Sequence, residues 1–259
     1  MIKPALMFLA ALLPLAAPAQ EAFTGRRVEV QVYDRSDGRY LPLYRHRGQA
    51  WVAGERGHEY EIHLQSRRGE RLLAVTSVDG INVISGQTAS TAQSGYILPS
   101  WGSLEVDGWR KSLDEVARFT FTALPDSYAA HTGRPDNVGV IGIALFEERP
   151  APRPWHGWRG GEPQREESAS ADGAGAPAAA ESKSRAAQAA PLGTGHGERQ
   201  WSGAAFASFE RGSEKPVEII TIRYDSPRRL VERGVIPKPR RDGSPRRPEP
   251  FPAGFVPDP

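Results

Sequence analysis

Hydrophobic and polar residues alternate along the first half of the chain with the period of two that marks a half-buried β-strand. Val28, Val30 and Val32 alternate with Glu29 and Gln31, and Tyr60, Ile62 and Leu64 with Glu59, Glu61, His63 and Gln65. Residues 40–52 read as a weaker strand pair folded near Arg47-Gly48. After a turn at Arg67-Arg68-Gly69-Glu70 comes a nearly continuous apolar run over residues 72–78. With residues 58–65 it predicts a β-hairpin whose second strand is the more deeply buried. Asp79-Gly80 is a turn signal, residues 81–84 form another short strand, and Tyr96-Ile97-Leu98 is a strand stopped by Pro99. Phe119 and Phe121 alternate with Arg118, Thr120 and Thr122, while Ser112 and Glu115 have capping-box spacing that predicts one helical turn ahead of them. Residues 138–146 are apolar on both faces around Gly139 and Gly142, as a central strand would be.

Short strands spaced about 8–12 residues apart, with Gly, Asp and Pro at the turns, predict an all-β fold. The expected architecture is an antiparallel β-sandwich, jelly-roll or immunoglobulin-like. Between Arg159 and Gln200 the only large apolar residue is Leu192. Ordering costs about 1–2 kcal/mol per residue, and such a segment has too little apolar surface to offset it. Residues 150–195 are therefore expected to be a disordered insertion, with Gly193-Thr194-Gly195-His196-Gly197 as its flexible re-entry. Residues 217–224 form a convincing late strand. Ser226-Pro227 then opens one short C-terminal helix that Gly234 stops. One strand and one helix are too little for a second domain. Residues 23–149 and 196–236 are thus expected to share one discontinuous β-sandwich, with residues 237–259 a Pro/Arg-rich disordered tail.

The first twenty residues, MIKPALMFLAALLPLAAPAQ, carry a different pattern. A positive Lys3, an apolar stretch over residues 5–16 and the small-x-small Ala17-Pro18-Ala19 match a secretory signal cut after Ala19. The stretch falls short of the ~20 residues that span a bilayer, and no later stretch approaches that length. Export to the periplasm or beyond is the expected address. The 259 residues contain no Cys, so no disulfide staples the exported protein, and thiol nucleophiles and thiolate metal sites are excluded. A net charge of +2 gives no argument for a nucleic-acid partner.

No catalytic, cofactor or metal signature is present: HExxH, GxSxG, SxxK and Walker-type loops are all missing, and the six histidines lack ligand spacing. His58 and His63 fall on opposite strand faces. Asp79, Asn82 and Ser85 in SVDGINVISG offer oxygen ligands to Ca²⁺ or sugar hydroxyls, but Asp-Gly and Asn are also ordinary turn chemistry. The polar loop of residues 131–137 likewise reads as a turn, and the glycines of residues 193–197 lack the strand and helix of a phosphate loop. Tyr96, Trp101, Trp109 and Tyr128, with Arg110 and Asp126, form a candidate carbohydrate-stacking platform. The alternative is that the rings fill the sandwich core. The tail cations Lys238, Arg240, Arg241, Arg246 and Arg247 suit anionic lipid head groups, or simply solubilise.

The runs SVDGINVISG, GWRKSLDEVARFTFT, SYAAHTGRPDNVGVIGIALFEE and GTGHGERQWS resemble segments of a family of exported proteobacterial proteins with no established activity. The resemblance covers most of residues 58–149 and 193–236. It implies bacterial export and one domain, and carries no function. Three classes follow. The first is a non-enzymatic periplasmic binding or structural protein of the envelope, with a glycan or protein partner. The second is an envelope polysaccharide hydrolase with carboxylates drawn from Asp79, Asp126 and Asp136. The third is a structural subunit assembling through a sheet edge.

Overall fold

In a computed structural model that describes residues 23–150 and 191–238, the alternating segments form strands. In chain order the elements are β1 (Phe23–Thr24), β2 (Val28–Asp34), β3 (Arg39–Tyr40), β4 (Leu43–His46), β5 (Gln49–Ala53), β6 (Glu59–Ser66), β7 (Leu72–Val78), β8 (Ile81–Asn82) and β9 (Tyr96–Leu98). Next come β10 (Ser103–Val106), β11 (Gly108–Arg110), β12 (Glu115–Ala123), α1 (Tyr128–His131), β13 (Val140–Glu147), β14 (Leu192–Trp201), β15 (Glu218–Asp225) and α2 (Pro227–Glu232). The expected signal, the bulk of the insertion and nearly all of the tail lie outside the described residues.

The fold is an all-β sandwich of two sheets. One follows the order β1-β2-β6-β12-β11, with β3 on β2, β10 on β6 and β14 on β12. The other runs β4-β5-β15-β13-β7-β8, with β9 on β7. In the first sheet Val28, Val30, Val32, Tyr60, Ile62 and Leu64 face inward, as their alternation required, and meet Val78, Ile141, Ile143, Ile220 and Ile222 of the second. The late strand β15 pairs antiparallel with β13 and parallel with β5, so it lies inside a sheet built by the first part of the chain. The parallel pair makes the second sheet mixed rather than purely antiparallel.

The doubly apolar strands are explained by a second layer. Outside β7 and β13, Leu73, Val75, Ala144 and Phe146 form their own buried cluster, against which Phe209 packs. Further along the same sheet Leu230 and Val235 cover Trp51. Two-residue turns close β4–β5 at Arg47-Gly48 (φ 49° and 74°) and β7–β8 at Asp79-Gly80 (φ 53° and 72°). Left-handed pairs of this kind match the strand twist, and Gly adopts the second position without strain.

Three sequence expectations are corrected. β6 and β7 form no hairpin: β6 pairs with β2, β10 and β12, and β7 with β13, β8 and β9. A strand apolar on both faces needs cover on both sides, which only the second sheet with its outer layer supplies. Ser112 and Glu115 do not start a helix. The Ser112 hydroxyl accepts from the backbone N–H groups of Asp114 and Glu115, and the chain then enters β12 directly. Residues 193–197 are no flexible re-entry either, because they sit in β14, antiparallel to β12, with residues 192–195 buried.

One polar chain crosses the interior between the sheets. The Tyr224 hydroxyl donates to Asp79 Oδ1 at 2.5 Å, stands 2.6 Å from Thr194 Oγ1, and Thr194 Oγ1 stands 2.7 Å from the Tyr60 hydroxyl. Asp79 also accepts from the backbone N–H groups of Gly139 (2.9 Å) and Thr194 (2.8 Å).

Two outcomes follow. A chain ending at Glu148 lacks β14 and β15, exposes the edges of β12 and β13 and strands β4–β5; it is expected to aggregate or melt without cooperativity by circular dichroism. Cooperative melting at the full protein's temperature would refute that. Thr194→Val keeps the side-chain volume but breaks the polar chain by removing the hydroxyl between Tyr60 and Tyr224. Urea denaturation should show a loss of about 1–3 kcal/mol.

Candidate functional site

The six candidate residues fall in three places. Trp101 lies by itself in the turn after β9, at φ 53° and 67% exposed, with its indole near Gly69. Tyr96 and Arg110 meet: the guanidinium donates to the Tyr96 hydroxyl at 3.0 Å, to the carbonyls of Leu113 and Ser202, and to the Ser202 hydroxyl. Arg110 thus ties the strap of residues 202–211 to the sandwich, and the strap walls a groove of about 820 Å³ together with Tyr96, Ile97 and Leu104. Its guanidinium is committed to the strap.

Trp109 and Tyr128 form the third place. Trp109 is 2% exposed, so its ring belongs to the core rather than to an open platform. Its centroid lies 5.0 Å from Tyr128 and 5.3 Å from Phe119. Tyr128, half-buried at the start of α1, carries the contact outward to His196, whose ring centroid lies 4.3 Å away. The Ser127 hydroxyl caps α1 by accepting from the Ala130 N–H, which fixes where the Tyr128 ring projects. Asp126 is exposed on the short turn just before.

Two residues complete this shelf. His196 projects from β14 at the surface, and Lys111 follows β11 with its ammonium donating to His196 Nε2 at 3.4 Å. The ammonium also stands 5.8 Å from the Tyr128 ring centroid, within cation–π range. Partial burial, then the nearby Lys111 and His131, push the His196 imidazole down to about 4, so it is neutral at physiological pH. Partial burial and Arg199 lower the Lys111 ammonium below the ordinary lysine range. Among the described residues Lys111 makes no ion pair. A crowded cation over aromatic faces, with a neutral imidazole beside it, is chemically suited to an anionic ligand that also offers an apolar ring face. Neither Lys111 nor His196 was among the sequence candidates. The sole sequence signals were Lys111 beside Trp109-Arg110 and His196 between two glycines, 85 positions apart.

Asp79, first among the candidate hydrolase carboxylates, is enclosed in the core at 1% exposure, whereas Asp126 and Asp136 lie at the surface. Burial raises the Asp79 carboxyl to about 6 against the pull of the Tyr224 hydroxyl and the backbone N–H groups of Thr194, Gly139 and Val140. The oxygen-ligand set of Asp79, Asn82 and Ser85 is likewise spent on the fold. Asn82 Oδ1 accepts from the N–H groups of Ile84 and Ser85, its amide donates to the Ser94 carbonyl, and the Ser85 hydroxyl accepts from the Gln87 N–H.

His58 and His63 stand in separate groups that each bring three ligand atoms within 4.8 Å, one with Asp34 and Asp37, the other with Glu61 and Glu105. His58 Nδ1 and both ring nitrogens of His63 are engaged. His58 Nδ1 lies 2.9 Å from Asp34, which raises its pKa, and His63 lies 2.8 Å from Glu61 and 3.0 Å from the Tyr40 hydroxyl. Arg35 pairs with Glu61 in turn.

No family model, curated protein or solved structure matches the chain. Among the described residues no helix is long and apolar enough to cross a membrane.

The shelf makes a pH prediction. Because the folded His196 pKa of about 4 lies below the unfolded value near 6.5, its contribution to stability is complete above pH 6.5 and is lost as pH falls toward 4. NMR titration should find the imidazole neutral at pH 5.5, and Lys111→Met should move its midpoint upward. A midpoint unchanged near 6.5 would show that the rings and the ammonium do not act on it.

Proposed function

We propose that this is an exported, non-enzymatic binding protein of the cell envelope that takes an anionic glycan on the Lys111–Tyr128–His196 shelf. One observation carries the reading: an ammonium without a carboxylate partner is held over an aromatic ring beside a neutral imidazole. Sugars present apolar faces that stack on aromatic rings, and an acidic or phosphorylated sugar adds the charge that Lys111 lacks. His196 Nε2 accepts from Lys111, so its Nδ1 carries the proton and is a donor for a sugar hydroxyl. The rigid supports of the shelf are β11, β14 and the capped α1, which suits a preformed recognition surface.

Export is supported by the signal pattern of residues 1–19 and by the resemblance of four sequence runs to exported proteins. A binding role is favoured over hydrolysis because the carboxylate with the raised pKa, Asp79, is walled into the core, away from any groove where a glycosidic bond could sit.

A glycan array and a pulldown from envelope extracts test the reading. Acidic or phosphorylated glycans should bind, neutral ones weakly. Lys111→Gln should cost about tenfold in affinity, as expected for one charge-assisted contact, and raised salt should weaken the wild type more than the variant. Binding that is indifferent to Lys111→Gln and to Tyr128→Ala would overturn the shelf. Full-length protein with Lys3 retained in the cytoplasm would overturn export.

A further inference from the structure

On the outer face of the second sheet, where α2 covers the end of β5 and β15, lies a pocket of about 400 Å³ whose walls include Gln49, Trp51, Arg223, Arg229 and Arg233. Arg223 stands beside Trp51 in the parallel β15–β5 register. The Arg223 and Arg233 guanidiniums lie 5.9 and 5.3 Å from the centroid of the Trp51 ring. Arg229 Nε donates to Asp225 Oδ2 at 2.9 Å, and Arg233 reaches the same oxygen at 3.5 Å. Asp225 is buried, and its other oxygen accepts from the backbone N–H groups of Ser226 and Leu192. That interior carboxylate is therefore fully engaged, with two guanidiniums on it and Arg223 in the same pocket wall. Arg223 has no ion pair among the described residues, and the remaining acid of the lining, Asp136, is exposed. The Trp51 indole Nε1 in the same wall is buried without an acceptor.

We propose that this pocket binds a phosphoryl group, with Arg223 and Arg233 as its direct ligands and Arg229 as a positioning residue locked by Asp225. A phosphoryl group suits the site better than a single carboxylate, because Arg223 makes no ion pair among the described residues and Arg233 reaches Asp225 only at 3.5 Å, so both guanidiniums keep donors for several oxygens. The planar forks of arginine match tetrahedral phosphoryl oxygens in pairs. Cation–π contact with Trp51 helps hold two of these forks in place before the ligand arrives, which lowers the ordering cost of binding. The occupant is a free phosphate or a phosphomonoester. This site is separate from the shelf and does not rest on the glycan reading.

The test is calorimetric titration of the whole protein at constant ionic strength with inorganic phosphate, glycerol phosphate and acetate. Phosphate or glycerol phosphate should bind, and the tighter of the two identifies the source. Acetate should bind at least about tenfold more weakly. Arg223→Gln and Arg233→Gln should each weaken binding about tenfold or more, Arg223→Lys should recover only part, since an ammonium cannot fork, and Arg67→Gln, whose guanidinium pairs with Glu29 away from the pocket, should change nothing. Arg233 sits at the exposed end of α2, so its variant carries the test if Arg223→Gln misfolds. Phosphate that binds no better than acetate, or binding lost with Lys111→Gln and kept with both arginine variants, overturns the proposal.

Discussion

The structure depends on one buried carboxylate. Asp79 sits in the tight β7–β8 turn, so its position is set by local backbone, yet its donors come from the start of β13, from β14 and from β15. The direction of the hydroxyl chain beyond it is fixed by proton count. Tyr224 has one proton and gives it to Asp79; Thr194 must then donate to Tyr224, and Tyr60 to Thr194. Four strands are thereby registered around one charge, two from each sheet. The arrangement specifies more than it stabilises. The folded Asp79 pKa of about 6 exceeds the unfolded 3.8, so this group favours folding most below pH 4, and that advantage disappears as pH rises through 6. At neutral pH the charge remains inside because its donors have no other acceptor.

From that chain a run of aromatic rings leads to the surface. Tyr60 stacks on Phe121 at 4.1 Å and contacts Phe119 at 5.3 Å, Phe119 meets Trp109 edge-on, and Trp109 supports Tyr128, which meets His196. The shelf is the outer end of the core rather than a loop placed on top of it. Gly108 is part of the reason this end closes, because any Cβ there would lie 2.1 Å from the Ala117 carbonyl oxygen, and without that close approach Trp109 could not lie flush against β12.

Alternation made much of the sandwich legible: Val28, Val30, Val32, Tyr60, Ile62 and Leu64 point inward as their pattern required, and Asp79-Gly80 and Arg47-Gly48 turn where their left-handed preference placed them. What failed was partner choice. Adjacent strands with a short connection default to a hairpin, and nothing local in residues 67–71 says that β7 belongs to the other sheet. The glycines of β14 concealed a strand for a physical reason: Ser127, Val138 and Thr120 leave no room for a Cβ at Gly193 or Gly197, and Thr122 leaves only a tight fit at Gly195. Composition made that segment look loose when it is tightly packed. Tyr128 and Trp109 could be selected as aromatics, but Lys111 and His196 become neighbours only through the β12–β14 pairing, which no periodicity reports.

Charge pairing covers much of the surface, although Arg110, Arg134 and Arg211 bond only carbonyl and hydroxyl oxygens. Arg27, Arg67, Arg71, Arg118 and Arg149 each reach a glutamate, and Arg35 reaches Glu61. Exposed pairs of this type contribute about 0–1 kcal/mol each, so they are evidence of local charge balance more than of stability. With 33 basic and 31 acidic side chains, the sequence has enough carboxylates to match nearly every cation. Lys111 and Arg223 nevertheless stand without an acidic partner among the described residues, each against an aromatic ring on a rigid strand or just beyond its end. A positive charge held against a ring and left uncompensated raises the local potential where the surface is already shaped, and that potential favours an anion from outside over one from the chain itself.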